Sequence, residues 1–211
     1  MSRKNRPYKK GEPFRDAIFF VIACEGAVRE RQYFEHVPTD TRRLKLVVLA
    51  PEPTKNTTKT AATSGSSPKW VLNRLTTFIV ENNINVKKTG DQVWMVLDID
   101  RWPIQELIQL TEICKTKQWG IALSNPCFEV WLYLHVKDMA EATTTTCQEL
   151  KTILSQLELG NRQGYDVKKY LENINFAIER GYQQQDAPLN PIPNPLVSRV
   201  HLLVEQLLRI V

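Results

Sequence analysis

The sequence predicts an α/β protein: a parallel sheet of about four strands in a Rossmann-like arrangement, flanked by helices and extended by further helices at its C-terminus. Three observations predict it. Short apolar runs rich in β-branched and aromatic residues, AIFFVIAC (17–24), LKLVVLA (44–50), QVWMVLD (92–98) and WGIALS (119–124), are each followed by a helical pattern. The runs are continuous and do not alternate, as expected of strands covered on both faces. The first and third run directly into an acid, Glu25 and Asp98.

Taken in order, residues 1–15 are rich in Lys and Arg without periodicity and read as a basic arm. After the first strand and Glu25-Gly26, Val28, Phe34 and Val37 fall near helical spacing. The second strand is ended by Pro51 and Pro53, and KNTTKTAATSGSS (55–67) is a small, polar surface loop leaving the sheet edge. Ser67-Pro68 pairs an N-cap with a proline at the first helical position, and Trp70, Leu72, Leu75, Phe78, Ile79 and Ile84 make the next helix amphipathic. Pro103 opens a helix over 103–118. Asn125-Pro126 leads into another, from about Cys127 to Val136, whose Phe128, Trp131, Leu132 and His135 form a buried stripe. Beyond residue 138 the texture changes. Thr146 and Glu149 have capping-box spacing, and helical patterns at roughly 166–180 and 196–210 flank APLNPIPNP (187–195). The expected organisation is a core over 16–137 and a helical extension over 138–211 packed on it.

Composition narrows the function. The 211 residues carry a net charge of +5, which favours polyanionic partners only mildly. No segment approaches the ~20 apolar residues needed to span a bilayer, and no signal-peptide stretch follows the basic N-terminus. A cytoplasmic protein is expected. The four cysteines (Cys24, Cys114, Cys127 and Cys147) have no close ligand spacing, so zinc and disulfides are not expected and reduced thiols are. No GxxxxGK[ST], no GxGxxG after the first strand and no GxSxG occurs, which argues against P-loop, dinucleotide-binding and serine-hydrolase chemistry. Three histidines are too few for a histidine-rich nuclease centre.

What remains are acids. Parallel strands present their C-terminal ends along one edge, where open α/β folds bind ligands. Glu25 follows strand one, Asp98 and Asp100 follow strand three, and Asn125 follows strand four. In extended backbone Asp98 and Asp100 point the same way and Ile99 the other. Carboxylates held that close repel one another, so one takes up a proton unless a cation intervenes, and hard oxygen ligands suit Mg²⁺ or Mn²⁺. Acids after strands also serve as turn formers and helix caps, and for Asp100 that alternative stands.

At this point the pattern resembles the Toprim fold, and its local sequences resemble the RloB-like family: CEGAVRERQYFEH (24–36), VWMVLDIDRW (93–102), SNPCFEVWLYLH (124–135) and NPLVSRVHLLVEQL (194–207). The resemblance implies that Glu25, Asp98 and Asp100 form a catalytic, metal-binding set, with Glu30 matching an acid of an E-G-x-x-x-E pattern. It implies a bacterial anti-phage or abortive-infection component beside an AAA or ABC-type ATPase, with related effectors cutting nucleic acid, some of them tRNA. Arg101 stands where such sites often carry another acid, and NPLVSRV departs from the small-hydroxyl pattern expected after Asn-Pro. These departures leave open whether one metal is held or two.

Supporting roles are assigned by position. Glu129 reads either as a solvated surface acid or as a group holding Asn125 and metal waters. Asn125 caps its helix or offers its amide to phosphate. Among the basic clusters, Arg29 and Lys168-Lys169 are the ones expected to meet nucleic acid. The last helix (Leu202, Leu203, Leu207, Ile210, Val211) serves core packing or a homodimer interface. The leading expectation is metal-dependent phosphodiester hydrolysis. The alternative is a non-catalytic sensor or docking module that binds metal or nucleotide and regulates a partner ATPase.

Overall fold

The computed structural model describes residues 17–39, 44–51, 65, 67–142, 144–157, 166–187 and 189–210. The basic arm, and the polar loop apart from Gly65 and Ser67, lie outside the described residues.

Four strands, β1 (Ile18–Cys24), β2 (Leu44–Leu49), β3 (Gln92–Asp98) and β4 (Gly120–Ser124), form one parallel sheet in the order β2-β1-β3-β4. This is the α/β, Rossmann-like class the apolar runs predict, with strand bounds within one residue of those runs at either end. Side chains alternate between two cores. Phe20, Ile22, Cys24, Trp94, Val96 and Ala122 enter one, and Phe19, Val21, Ala23, Val93, Met95, Leu97 and Leu123 the other. Each strand is thus apolar at successive residues because each face has its own cover. Burying one such side chain is worth about 1.5–3 kcal/mol.

One face is covered by α1 (Arg29–His36) and by helices that follow the sheet in sequence. The other is covered by α2 (Pro68–Glu81) and, after the single-turn α3 (Val86–Thr89), by α4 (Ile104–Lys117). Helix α2 starts as its sequence indicates, with Pro68 at the first helical position and the Ser67 hydroxyl accepting the Trp70 N–H. After β4 come α5 (Glu129–Leu134), a 3₁₀ turn (Met139–Glu141), α6 (Cys147–Gln156), α7 (Val167–Glu172), α8 (Ile174–Gln183) and α9 (Val200–Arg209). Thr146 caps α6 by accepting the Glu149 N–H, while its own hydroxyl donates to the Glu149 carboxylate. The helical pattern at 166–180 is divided, because Asn173 leaves helical backbone between α7 and α8.

The pattern at 196–210 becomes helical only at Val200. Before it, Ser198 pairs antiparallel with Ser124 at the edge of β4, and the two buried hydroxyls lie 2.8 Å apart. Two further bonds, Asn125 N–H to the Val197 carbonyl and Arg199 N–H to the Leu123 carbonyl, complete a short cover over that edge. Val200, Leu203, Val204 and Leu207 of α9 then enter the same core as Trp131 and Leu134 of α5, with Leu202 and Ile210 partly buried against it.

Candidate functional site

The sheet order reverses between β1 and β3. The chain passes from β1 outward to β2, then returns to place β3 on the other side of β1. In open α/β sheets the crevice beyond the strands' C-terminal ends at such a reversal is the ligand site. Cys24 is in register with Val96, so Glu25 comes level with the end of β3, its N–H extending the ladder to the Val96 carbonyl. The Glu25 carboxylate accepts the Asp98 N–H at 3.1 Å through Oε2 and the Trp102 indole N–H at 3.0 Å through Oε1. Asp98 Oδ1 in turn accepts the Phe128 N–H at 2.8 Å. Ile99 packs into the opposite core, which leaves Asp98 and Asp100 on the side its alternation predicts.

Three further acids complete the cluster. Glu30, in the first turn of α1, folds back on the chain and accepts the backbone N–H groups of Gly26 and of Glu30 itself. A Cβ on residue 26 would collide with that carboxylate, so glycine is required here for space. Glu129 opens α5 and is buried, ion-paired with Arg29 and 3.8 Å from Lys151 Nζ. Asp100 is the most exposed of the set, lying 3.3 Å from the Cys147 sulfur and 3.6 Å from Arg101 Nε.

These acids disturb one another. Burial lifts Glu25 from 4.5 to about 7 against the pull of the Asp98 and Trp102 donors, and the charges of Glu30 and Asp100 add to the rise. Asp98 is raised well above the usual carboxylate range, first by burial and then by Glu30, Glu25, Glu129 and Asp100. Glu30 is raised by burial and by Glu129, against the backbone donors and Arg29. The centre therefore holds more negative charge than Arg29 and Lys151 offset, and it takes up protons or a cation in consequence. Hard carboxylate oxygens under mutual repulsion fit Mg²⁺ or Mn²⁺ in chemistry. Among the described residues no three acid, cysteine or histidine side chains already converge on one point, the oxygens being turned instead toward backbone and indole donors.

The structure thus brings Glu25, Glu30, Asp98, Asp100, Glu129 and Arg29 together. Of the two readings left open for Glu129, the solvated surface acid does not hold. Asn125 adjoins the acids in backbone but its amide is turned elsewhere, donating to the Pro193 carbonyl at 3.0 Å, and α5 has no side-chain cap. Its role is to tie β4 to the proline-rich segment. Lys168 and Lys169 are exposed on α7, a helix packed against α1. Sequence reasoning missed Trp102 as a Glu25 partner, Lys151 beside Glu129 and Gly26 as the seat of Glu30. Only the Glu-Gly dipeptide carried a signal for any of these.

The expectation of four reduced thiols is corrected. Cys127 and Cys147 form a disulfide, while Cys24 and Cys114 are free and buried. Twenty residues separate the pair, and no motif announces it. Cys127 lies just before α5 and Cys147 opens α6, and the packing of these two helices leaves the two Cα atoms 6.0 Å apart.

No curated protein and no solved structure matches this chain. The family model described as RloB-like protein matches residues 20–207, a span holding every acid of the centre and the whole sheet but the first two residues of β1. With nearly the full chain matched, the protein belongs to the RloB-like protein family.

Proposed function

We propose that this protein is a metal-dependent nuclease that hydrolyses phosphodiester bonds in DNA or RNA, tRNA included, as the effector of a bacterial anti-phage system with a partner ATPase. One observation carries the reading: Glu25 and Asp98 meet at the β1/β3 reversal, at the ligand-binding edge, with Asp100 beside them. That placement of one glutamate and a D-x-D pair after neighbouring strands is the Toprim pattern. The family match supports the assignment at its coarser level.

Asp98, Asp100 and Glu25 would hold Mg²⁺ or Mn²⁺, which supplies charge neutralisation at the scissile phosphate and an acidified water. The protein's own groups do the remainder. With a proton affinity near neutrality, Glu25 takes or gives a proton at Oε1 or Oε2 within the physiological range. Trp102 and the Asp98 N–H hold its carboxylate in place. Arg29, held by Glu129, sets a cation at the rim.

A second reading is favoured by the acids' engagement with protein donors: a module that binds metal or nucleotide without cutting and regulates its ATPase. One assay separates the two. The purified chain, with Mg²⁺ or Mn²⁺ and with or without the neighbouring ATPase, is given plasmid, single-stranded DNA and total tRNA beside Asp98→Asn. The nuclease reading expects metal-dependent cutting that falls roughly hundredfold or more in the variant. Undiminished cutting by Asp98→Asn removes the acid centre from the chemistry. Metal binding without cutting, together with altered ATP hydrolysis by the partner, establishes the regulatory module.

A further inference from the structure

A second feature of the same sheet edge lies one strand further out. Along α2, Trp70, Asn73, Arg74, Thr77 and Phe78 line an open groove of about 450 Å³ against Leu49, the last residue of β2, with Glu81 at the helix's far end. Trp70 is 54% exposed. Large flat apolar rings are ordinarily covered, and this one stands at the mouth of a concavity. Arg74 reaches from the groove to the end of β1, donating to the Cys24 carbonyl at 3.0 Å and to the Gly65 carbonyl at 3.3 Å. No carboxylate among the described residues pairs with it, and its buried Nε has no acceptor. Among the described residues the guanidinium thus has carbonyl partners but no carboxylate partner, one residue from Glu25.

Taken with the proposed function, on which this inference rests, the combination defines a ligand. A half-exposed indole offers a stacking face, a guanidinium without a counter-ion offers a phosphate contact, and Asn73 and Thr77 offer hydrogen bonds between them. We propose that this groove binds one nucleotide of an unpaired strand, its base stacked on Trp70 and its phosphate on Arg74, while the strand continues toward the acids at the ends of β1 and β3. The groove and the acids lie along one sheet edge, at the end of β2 and at the ends of β1 and β3. Glu81 repels phosphate at the groove's outer end, which orients the anion toward Arg74 and the sheet. A paired base is already stacked and has no face to give Trp70, so the groove selects single strands.

The test is a fluorescence-anisotropy titration of the full chain, with Ca²⁺ in place of Mg²⁺ so that strands bind uncut. Labelled twelve-nucleotide oligo-dT and oligo-U are compared with a duplex of the same length, and a mononucleotide serves as competitor. Trp70→Ala is expected to weaken single-strand binding about tenfold while leaving duplex binding within twofold, and Trp70→Phe to restore most of the loss. Arg74→Gln is expected to weaken binding and to lower the slope of log affinity against log salt by about one. Arg74→Lys keeps the charge should the glutamine variant fold poorly, and it is expected to keep that slope. Single-strand binding unchanged by Trp70→Ala, an equal loss on duplex, or no strand binding by the wild type overturns the groove. A free mononucleotide that binds as tightly as the strand also overturns it, and reassigns it to small nucleotides. Cutting that persists with Trp70-independent binding defeats only the groove. Trp70-dependent binding without metal-dependent cutting defeats only the nuclease.

Discussion

Asp91 and Asp98 stand at opposite ends of β3, and each is held by backbone N–H groups. Asp91 is fully buried at the N-terminal end, where it accepts from the Phe19 N–H at 2.9 Å, the Asn85 N–H at 3.2 Å and the Thr89 hydroxyl at 2.6 Å. Those bonds tie the start of β1 and the α3 turn to the start of β3. Asp98, at the other end, accepts the Phe128 N–H but shares its surroundings with Glu25, Glu30, Asp100 and Glu129. Residue type, strand and donor chemistry are nearly the same, and the difference lies in what else faces the carboxylate. A buried acid answered by donors is a structural tie. A group of acids that answer one another is a site waiting for a cation, and burial alone does not distinguish the two.

The largest effect that tests this contrast is on stability. Asp91→Ala strands the buried Phe19 N–H and releases the partly exposed Asn85 and Thr89 donors, and is expected to cost about 4 kcal/mol, read as a fall in the urea midpoint. Asp98→Asn removes charge from a repelling group and is expected to change stability by less than about 1 kcal/mol at neutral pH. A comparable loss in both variants would erase the distinction between the two ends.

Next in size is a pH effect. Glu25 rises from 4.5 to about 7 on folding, so between those values the folded protein holds a proton that the unfolded chain has released. Stability from this group is therefore greatest at low pH and declines as pH rises through that window, by up to about 3 kcal/mol. His135, pulled down to about 4 by burial, works in the opposite direction over part of the same range. The measurement is accordingly the stability difference between wild type and Glu25→Gln at pH 5 and pH 8. The wild type is expected to lose ground to the variant at pH 8 and to recover it with Mg²⁺. A difference that stays flat with pH would mean that Glu25 is ionised throughout.

The sheet and its acid-bearing edge were readable because both rest on local pattern. A strand covered on two faces must be apolar at successive residues, and an acid at its end is visible as the run stops. Topology alone thus brings Glu25 and Asp98 to one edge. Asp91, one residue before β3, has an equally simple position but no local mark of being a tie, since its partners come from 72 residues upstream and from the α3 turn. The Cys127–Cys147 bond, the Lys151 approach to Glu129 and the Trp102 bond to Glu25 depend on how helices pack. Periodicity sets which face of a helix is buried but not which residue it meets. The same limit applies to Arg74: the apolar stripe of α2 shows in the sequence, but what its polar side lines does not.

Two smaller changes sharpen the comparison within the acid centre itself. Gly26→Ala puts a methyl where the Glu30 carboxylate lies, so that carboxylate must move off the Gly26 N–H at an expected cost of about 1–2 kcal/mol. Glu30→Gln keeps the space and removes only the charge, so its effect is the smallest. Burial is the first cause of the rise at Glu25, and Glu30 is a lesser one. The Glu25 titration followed by carboxyl NMR is therefore expected to move down by less than about one pH unit, and to remain well above 4.5. A collapse to the ordinary value would mean that repulsion, not burial, governs the centre. The contrast with Asp91 would then rest on charge alone. If the titration is unmoved, Glu30 is insulated from Glu25 and belongs with Asp91 among the structural ties.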